Sequence, residues 1–265
     1  MPGLLANRFT VYLYSNQEHT YGKRTSFPFR SSPFLWTGKH YAHAAGTCLP
    51  SGFAALDDEL PGGGWPVGSL IELHAQQDSS ALSLLLPALN TLQAERLRVL
   101  VAPPYQPMQQ LWRGTPVTNK QNSSSENALP ARMLWIRSQH LNDTLWASAQ
   151  ALRHGHCAAV LSWLPAHVPL AALRQLQLLA SHSDSLFFCL RPAHSQTNSP
   201  ALLRLELQTR QDQQGQPWLD VHIRKRRGPP CKDSIALAPH HTLMPPAAIP
   251  SHVPVPATAP EPAYA

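Results

Sequence analysis

A buried strand that passes through a short polar turn straight into an apolar helix constrains this chain more than any other feature. Ile71-Glu72-Leu73-His74 reads as the strand, and Gln76-Gln77-Asp78-Ser79-Ser80-Ala81-Leu82-Ser83 leads from it into Leu84-Leu85-Leu86. Such a strand-to-helix unit belongs to sheets whose parallel strands are joined by covering helices. The stretch before it is equally ordered. Ser51-Gly52 and Leu56-Asp57 come first, then Gly62 to Gly64, then the Pro66-Val67-Gly68 corner. Consecutive glycines permit the positive φ angles of a tight corner, and Asp57 or Asp58 is placed to cap a short helix.

The turn stands where a phosphate-binding loop belongs, without the chemistry of one. In such a loop glycines let backbone N–H groups close around phosphates, a lysine reaches the terminal phosphates, and a Ser/Thr hydroxyl holds magnesium. Here Ala81 and Leu82 take the lysine and first hydroxyl places, so Gln76 to Leu82 reads as a degenerate remnant with no cofactor to hold. Two further positions agree. The strand Arg98-Val-Leu-Val-Ala102 runs into Pro103-Pro104-Tyr105-Gln106-Pro107 with no carboxylate to position a water. The apolar strand Ala158 to Trp163 ends on Ser162 and Trp163 where an aspartate would help hold magnesium. Phosphoryl transfer depends on positioned charge and metal, so the expectation is a protein that is not an enzyme.

The lead-in resembles that of the RecA family, with Ser51, Gly52, Leu56 and Asp57 matching its first element, Gly62 to Gly64 its glycine turn, and Pro66 and Gly68 its corner. Further landmarks resemble the narrower ImuA family: Ala102-Pro-Pro-Tyr105, Asp143 to Gly155, Ala159 to Pro165, Leu173 to Leu178, Leu190-Arg-Pro192 and Lys225-Arg-Arg-Gly-Pro-Pro230. That resemblance runs over residues 49 to 237. It implies a RecA-like accessory protein of translesion synthesis in the SOS response to DNA damage. Its implied partners are an ImuB-like Y-family polymerase homologue and an error-prone replicative-type polymerase, with self-association and indirect or weak DNA contact. The middle portion is also similar to SulA, a division inhibitor that binds FtsZ. The glycine-rich lead-in and the basic Gly-Pro-Pro end favour ImuA.

The remaining elements predict an α/β fold: a RecA-like, mainly parallel sheet flanked by helices, with a C-terminal β-hairpin. Helical spacing covers 79–96, with Pro87 a candidate kink. Strands are expected at 98–102, 134–136, 157–163 and 186–190, and helices near 106–113, 142–153 and 169–182. Strands at 202–209 and 218–225 flank the turn-like Gln211 to Gly215. Residues 46–240 form the expected core. Residues 1–45 show no sustained periodicity apart from a candidate strand in Phe9 to Tyr14, residues 115–130 read as a polar loop, and the Pro/Ala-rich residues 241–265 as a disordered tail. No apolar run approaches the roughly 20 residues of a membrane span, and the N-terminus lacks a secretory design. Cys48, Cys157, Cys189 and Cys231 are widely spaced, as free thiols of a cytoplasmic protein would be.

Other candidates carry less. The run Arg224-Lys225-Arg226-Arg227 is the one concentration of charge in a chain of formal charge +6. It reads as a solvated strand end, as a subunit interface of the kind the RecA resemblance implies, or as a DNA contact. His154, His156 and Cys157 converge poorly for a metal, and Ser79-Ser80 has no visible His/Asp constellation. Trp112, Trp135, Trp146 and Trp163 suit core or interface anchors. The helix at 169–182 has a core face, and Leu178 and Leu179 widen it enough to serve a partner as well.

Overall fold

The computed structural model describes residues 10–13, 17–19, 47–76, 78–93, 95–105, 132–195, 198–211, 217–231 and 233–238. The helix near 106–113, the loop at 115–130 and the 241–265 tail lie outside them. In chain order the described elements are β1 (Thr10–Leu13), β2 (Gln17–His19), β3 (Cys48–Leu49), α1 (Ala54–Asp57), β4 (Trp65–Pro66), β5 (Leu70–Ala75), α2 (Asp78–Thr91), β6 (Leu97–Val101), β7 (Met133–Arg137), α3 (Leu141–Arg153), β8 (Cys157–Trp163), α4 (Leu170–Ser181), β9 (Leu186–Pro192), β10 (Leu203–Gln211), β11 (Pro217–Lys225) and β12 (Ile235–Leu237).

Among the described residues ten strands form one sheet in the order β12-β11-β10-β5-β9-β8-β6-β7-β1-β2, and β3 pairs with β4 apart from it. Every neighbouring pair from β10 across to β7 is parallel. Antiparallel strands extend the sheet at both edges, β11 and β12 beyond β10, and β1 and β2 beyond β7. The chain is therefore α/β with a mainly parallel sheet flanked by helices. The residues that join β10 to β11 lie outside the described set.

Parallel strands covered on both faces need apolar side chains on both, and β8 (CAAVLSW) and β9 (LFFCLRP) are apolar almost throughout. Alternate residues serve opposite faces. Ile71, Leu73 and Ala75 of β5 join Leu84, Leu85, Leu86 and Leu89 of α2 in one apolar cluster. Leu70, Val160 and Phe187 join Leu145, Leu152, Leu173 and Leu176 of α3 and α4 in the other. Each fully buried leucine, isoleucine, valine or phenylalanine among them contributes about 2 kcal/mol. Trp65, completely buried, meets Phe188 edge-on with ring centroids 5.4 Å apart.

Helix ends follow local chemistry. Helical spacing carries α2 to Arg96, but α2 stops at Thr91. Arg98 on β6 is the reason: its Nε and Nη2 donate to Leu89 O at 3.2 and 3.0 Å, and Nη2 also donates to Leu92 O at 2.9 Å. A buried guanidinium thus satisfies carbonyls that the helix end would leave orphaned. The helix runs through Pro87, against which Gly52 packs so closely that a Cβ at Gly52 would lie 2.5 Å from Pro87 Cβ. Helix α3 ends at a C-cap on His154, followed by Gly155 at φ +66°, a common helix stop.

The lead-in corrects one expectation. Asp57 is the last residue of α1, whose N-cap is Phe53, so neither Asp57 nor Asp58 starts a helix. Asp57 Oδ1 instead accepts from Ser51 N at 2.7 Å and closes the loop that enters α1.

Candidate functional site

The strand β5, which leads into Gln76 to Leu82, lies between β10 and β9 in the interior of the sheet. Gln76 is exposed at its end, Gln77 lies outside the described residues, and Asp78 and Ser79 open α2. Ser80 is buried, Ala81 is 1% exposed within the apolar cluster, and Leu82 packs against that cluster. Ala81 therefore faces hydrocarbon. At the end of β8, Ser162 is completely buried, its Oγ 2.7 Å from Ser148 Oγ of α3. Ser148 Oγ in turn donates to Thr144 O at 2.7 Å. Residues 102–105 after β6 carry no carboxylate, and Ala102 turns there with φ +54°.

The charge chemistry of the core gathers instead on Glu72. Its side chain is completely buried. Oε1 accepts from Arg191 Nη1 at 3.0 Å and from Ser199 Oγ at 2.8 Å, and Oε2 accepts from Arg204 Nε at 2.9 Å. His74 Nε2 stands 3.5 Å from Oε2, an electrostatic contact longer than a good hydrogen bond. Burial pushes the carboxyl pKa up, yet His74, Ser199 and the charges of Arg204 and Arg191 outweigh it and hold the group at about 2. Two guanidinium groups facing one carboxylate leave a positive surplus in the interior. Arg191 Nη2 donates to Ala166 O at 2.7 Å, while Arg191 Nε and Arg204 Nη2 have no hydrogen-bond partner among the described residues. Cys189, on β9 next to this group, is fully buried. Burial and then the Glu72 charge push its thiol well above the ordinary range, so it stays a protonated, inert thiol.

The basic run is spent largely on the molecule itself. Arg224 Nε donates to Glu206 Oε2 at 2.6 Å, and this bond holds the Glu206 carboxyl below its usual range. Lys225 Nζ donates to Ser199 O at 3.1 Å, which brings it beside the Glu72 group. Burial, then the Arg204 charge, lowers the Lys225 amine, with Glu72 opposing. Arg226 donates to the backbone oxygen of Glu59, to Glu59 Oε2 at 2.6 Å and to Pro229 O at 2.7 Å, tying the end of β11 to α1. Arg227 is exposed. The structure thus brings Lys225 and β5 together through Ser199, and places Ala81 and Leu82 on the opposite face of the sheet from Glu72.

Among the described residues no three His, Cys, Asp or Glu side chains converge on a point that could hold a metal ion. No described helix is long and apolar enough to cross a membrane. Cys157 and Cys189 are buried, Cys48 and Cys231 half-buried, and all four are free thiols. Sequence reasoning noted Glu72 but missed Arg191 and Arg204 as its partners. A glutamate inside an apolar strand, with an arginine at the end of β9 and another at the start of β10, was the available signal. The chain matches no protein-family model and no curated protein.

Proposed function

We propose that this chain is a RecA-like accessory protein without nucleotide chemistry, acting in the cytoplasm as a scaffold for an error-prone polymerase complex during DNA-damage-induced translesion synthesis. The observation that carries the reading is the glycine-rich lead-in feeding β5 and α2 inside a mainly parallel sheet, with Ala81 packed in the apolar cluster where the resemblance places a lysine. Neither the phosphates nor the metal of a phosphoryl transfer finds a charged side chain at Ala81, Leu82 or Ser162. The late strands β10, β11 and β12, continuing the sheet beyond β5, support the RecA-like form of the fold and its C-terminal hairpin. Its partners on this reading are an ImuB-like Y-family polymerase homologue and an error-prone replicative-type polymerase. Arg224, Lys225 and Arg226 hold the edge of the core, and Arg227 is left for an interface.

The test is affinity purification of the tagged chain from its own cells after DNA damage, with partners identified by mass spectrometry. Recovery of a Y-family-like polymerase subunit supports the scaffold. Recovery of FtsZ in its place sinks it and points to division inhibition, the reading that the similarity to SulA implies.

A further inference from the structure

Each arginine of the Glu72 group keeps one donor that no protein atom uses. Arg191 Nη1 and Arg204 Nε bind the two oxygens of the same carboxylate, at 3.0 and 2.9 Å, so Glu72 fixes the position of both guanidinium groups. Arg191 Nε and Arg204 Nη2 are nevertheless sealed from solvent without a hydrogen-bond partner. The strand register brings a third cation to the same place. Glu72 of β5 is the cross-strand partner of Arg204 of β10, and Arg204 is the partner of Lys225 of β11, with neighbouring strands about 4.8 Å apart. Lys225 Nζ donates to Ser199 O at 3.1 Å, and Ser199 Oγ donates to Glu72 Oε1 at 2.8 Å, so one residue joins the ammonium to the carboxylate.

The charges here do not balance. Arg191, Arg204 and Lys225 meet one carboxylate, a surplus of two positive charges with His74 neutral. The other carboxylates on this face of β10 and β11 do not reduce it, because Arg224 holds Glu206 at 2.6 Å and Arg210 holds Asp220 at 2.7 Å. Lys225 feels the surplus: after burial, the Arg204 charge is what lowers its amine. A buried charged donor left unpaired is costly. A water molecule would satisfy the unused N–H groups and leave the charge, whereas an anion answers both. We propose that this group holds one monovalent anion of halide size on the unused N–H groups of Arg191 and Arg204, with Lys225 adding to the attraction. Such an ion is a structural ligand of the sheet. The proposal goes beyond the scaffold reading and does not depend on the partners that reading names.

Burial decides the size of the occupant. Both unused donors are sealed from solvent, so a nucleic-acid phosphate or an acidic side chain of a partner does not reach them across the surface. A monatomic ion takes the space of one water. Its way in is marked by the exposed Lys225 and by the 9% of the Arg204 side chain that meets solvent.

The experiment follows urea unfolding of the full chain at pH 7 and constant ionic strength while chloride replaces gluconate, an anion too large for the site. The midpoint is expected to rise with chloride along a saturating single-site curve. Bromide should act in the same way and give an anomalous-scattering peak beside Arg191 and Arg204 in a crystal. Arg204→Met, which keeps Glu72 paired with Arg191 and Ser199, should abolish the dependence, and the exposed Arg174→Met should leave it unchanged. Lys225→Met, also at an exposed position, should raise the half-saturating chloride concentration about threefold. If Arg204→Met does not fold, the Lys225→Met shift and the bromide position decide. The proposal is overturned by a midpoint indifferent to the anion at fixed ionic strength, by a rise that never saturates or survives Arg204→Met, by an unchanged half-saturation in Lys225→Met, or by bromide bound only elsewhere. Stabilisation by phosphate and not by chloride overturns it in favour of an oxyanion site.

Discussion

Replacing Glu72 by glutamine keeps the shape of the side chain and removes its charge, leaving Arg191 and Arg204 buried without a counterion. The cost follows from the carboxyl itself. Its folded pKa is about 2 against an ordinary 4.5, a difference worth about 3 kcal/mol in favour of the folded state. Removing one member of a buried ion pair costs about 3–5 kcal/mol in other proteins, so the two routes agree. The sign is that of a depressed carboxylate pKa. The contribution is complete above the unfolded value and is lost as pH falls through the folded one. Wild type should therefore exceed Glu72→Gln by about 3 kcal/mol at pH 7 and by about 1 kcal/mol at pH 3, with the difference vanishing below the folded pKa. In urea, with a slope of about 2 kcal/mol/M, the pH 7 midpoint should move by about 1.5 M. A gap under about 1 kcal/mol at pH 7, or one that does not shrink between pH 7 and pH 3, refutes the reasoning. Replacing Glu72, Arg191 and Arg204 together by apolar residues of similar size should cost less than the single change, because no charge is then stranded.

Arg98→Met should lower stability by about 2–4 kcal/mol by stranding the carbonyls of Leu89 and Leu92, and hydrogen exchange should show faster opening at the last turn of α2 than at its start. At the glycine turn, Gly64→Ala should prevent folding or cost more than about 3 kcal/mol, since its Cβ would lie 2.2 Å from Leu49 O. Gly63→Ala, with open space but φ +75°, should cost only about 1 kcal/mol in the same urea titrations. Ala81→Lys should destabilise the fold by burying an amine in the apolar cluster without creating ATP binding in calorimetry. Measurable ATP binding would overturn the non-nucleotide reading.

The sequence was most legible where one residue pattern decided the outcome. Strand β8 falls on residues 157–163 as expected because an apolar run interrupted only by Ser162, with Gly155 before it and Pro165 after it, leaves little freedom in either direction. Glu72 was visible as a glutamate in such a run, but its partners were not. Arg191 and Arg204 lie 119 and 132 residues along the chain, and only the parallel register of β5 with β9 and β10 brings them together. The end of α2 was misread for a related reason. Helical spacing continues past Thr91, and nothing in the pattern tells that the Arg98 side chain folds back onto Leu89 and Leu92. Asp57 has the composition of an N-cap and the position of a loop clamp, a difference set by where α1 starts.

The placement of charge bears on what this molecule can touch. The formal charge of +6 suggests a surface for phosphates, but its distribution says otherwise. Five basic residues and one acidic residue fall in residues 1–46, so the rest of the chain carries an excess of only two. The interior accounts for that excess: Arg98 is buried on carbonyls, and Arg191 and Arg204 share one carboxylate. The remainder of the chain, from residue 47 on, is thus close to neutral outside its buried groups, which is a poor basis for the counterion release that drives nucleic-acid binding. Arg224 and Arg226 are already paired with Glu206 and Glu59. If the chain touches DNA, the charge for it lies in residues 1–46 rather than in the residues that follow.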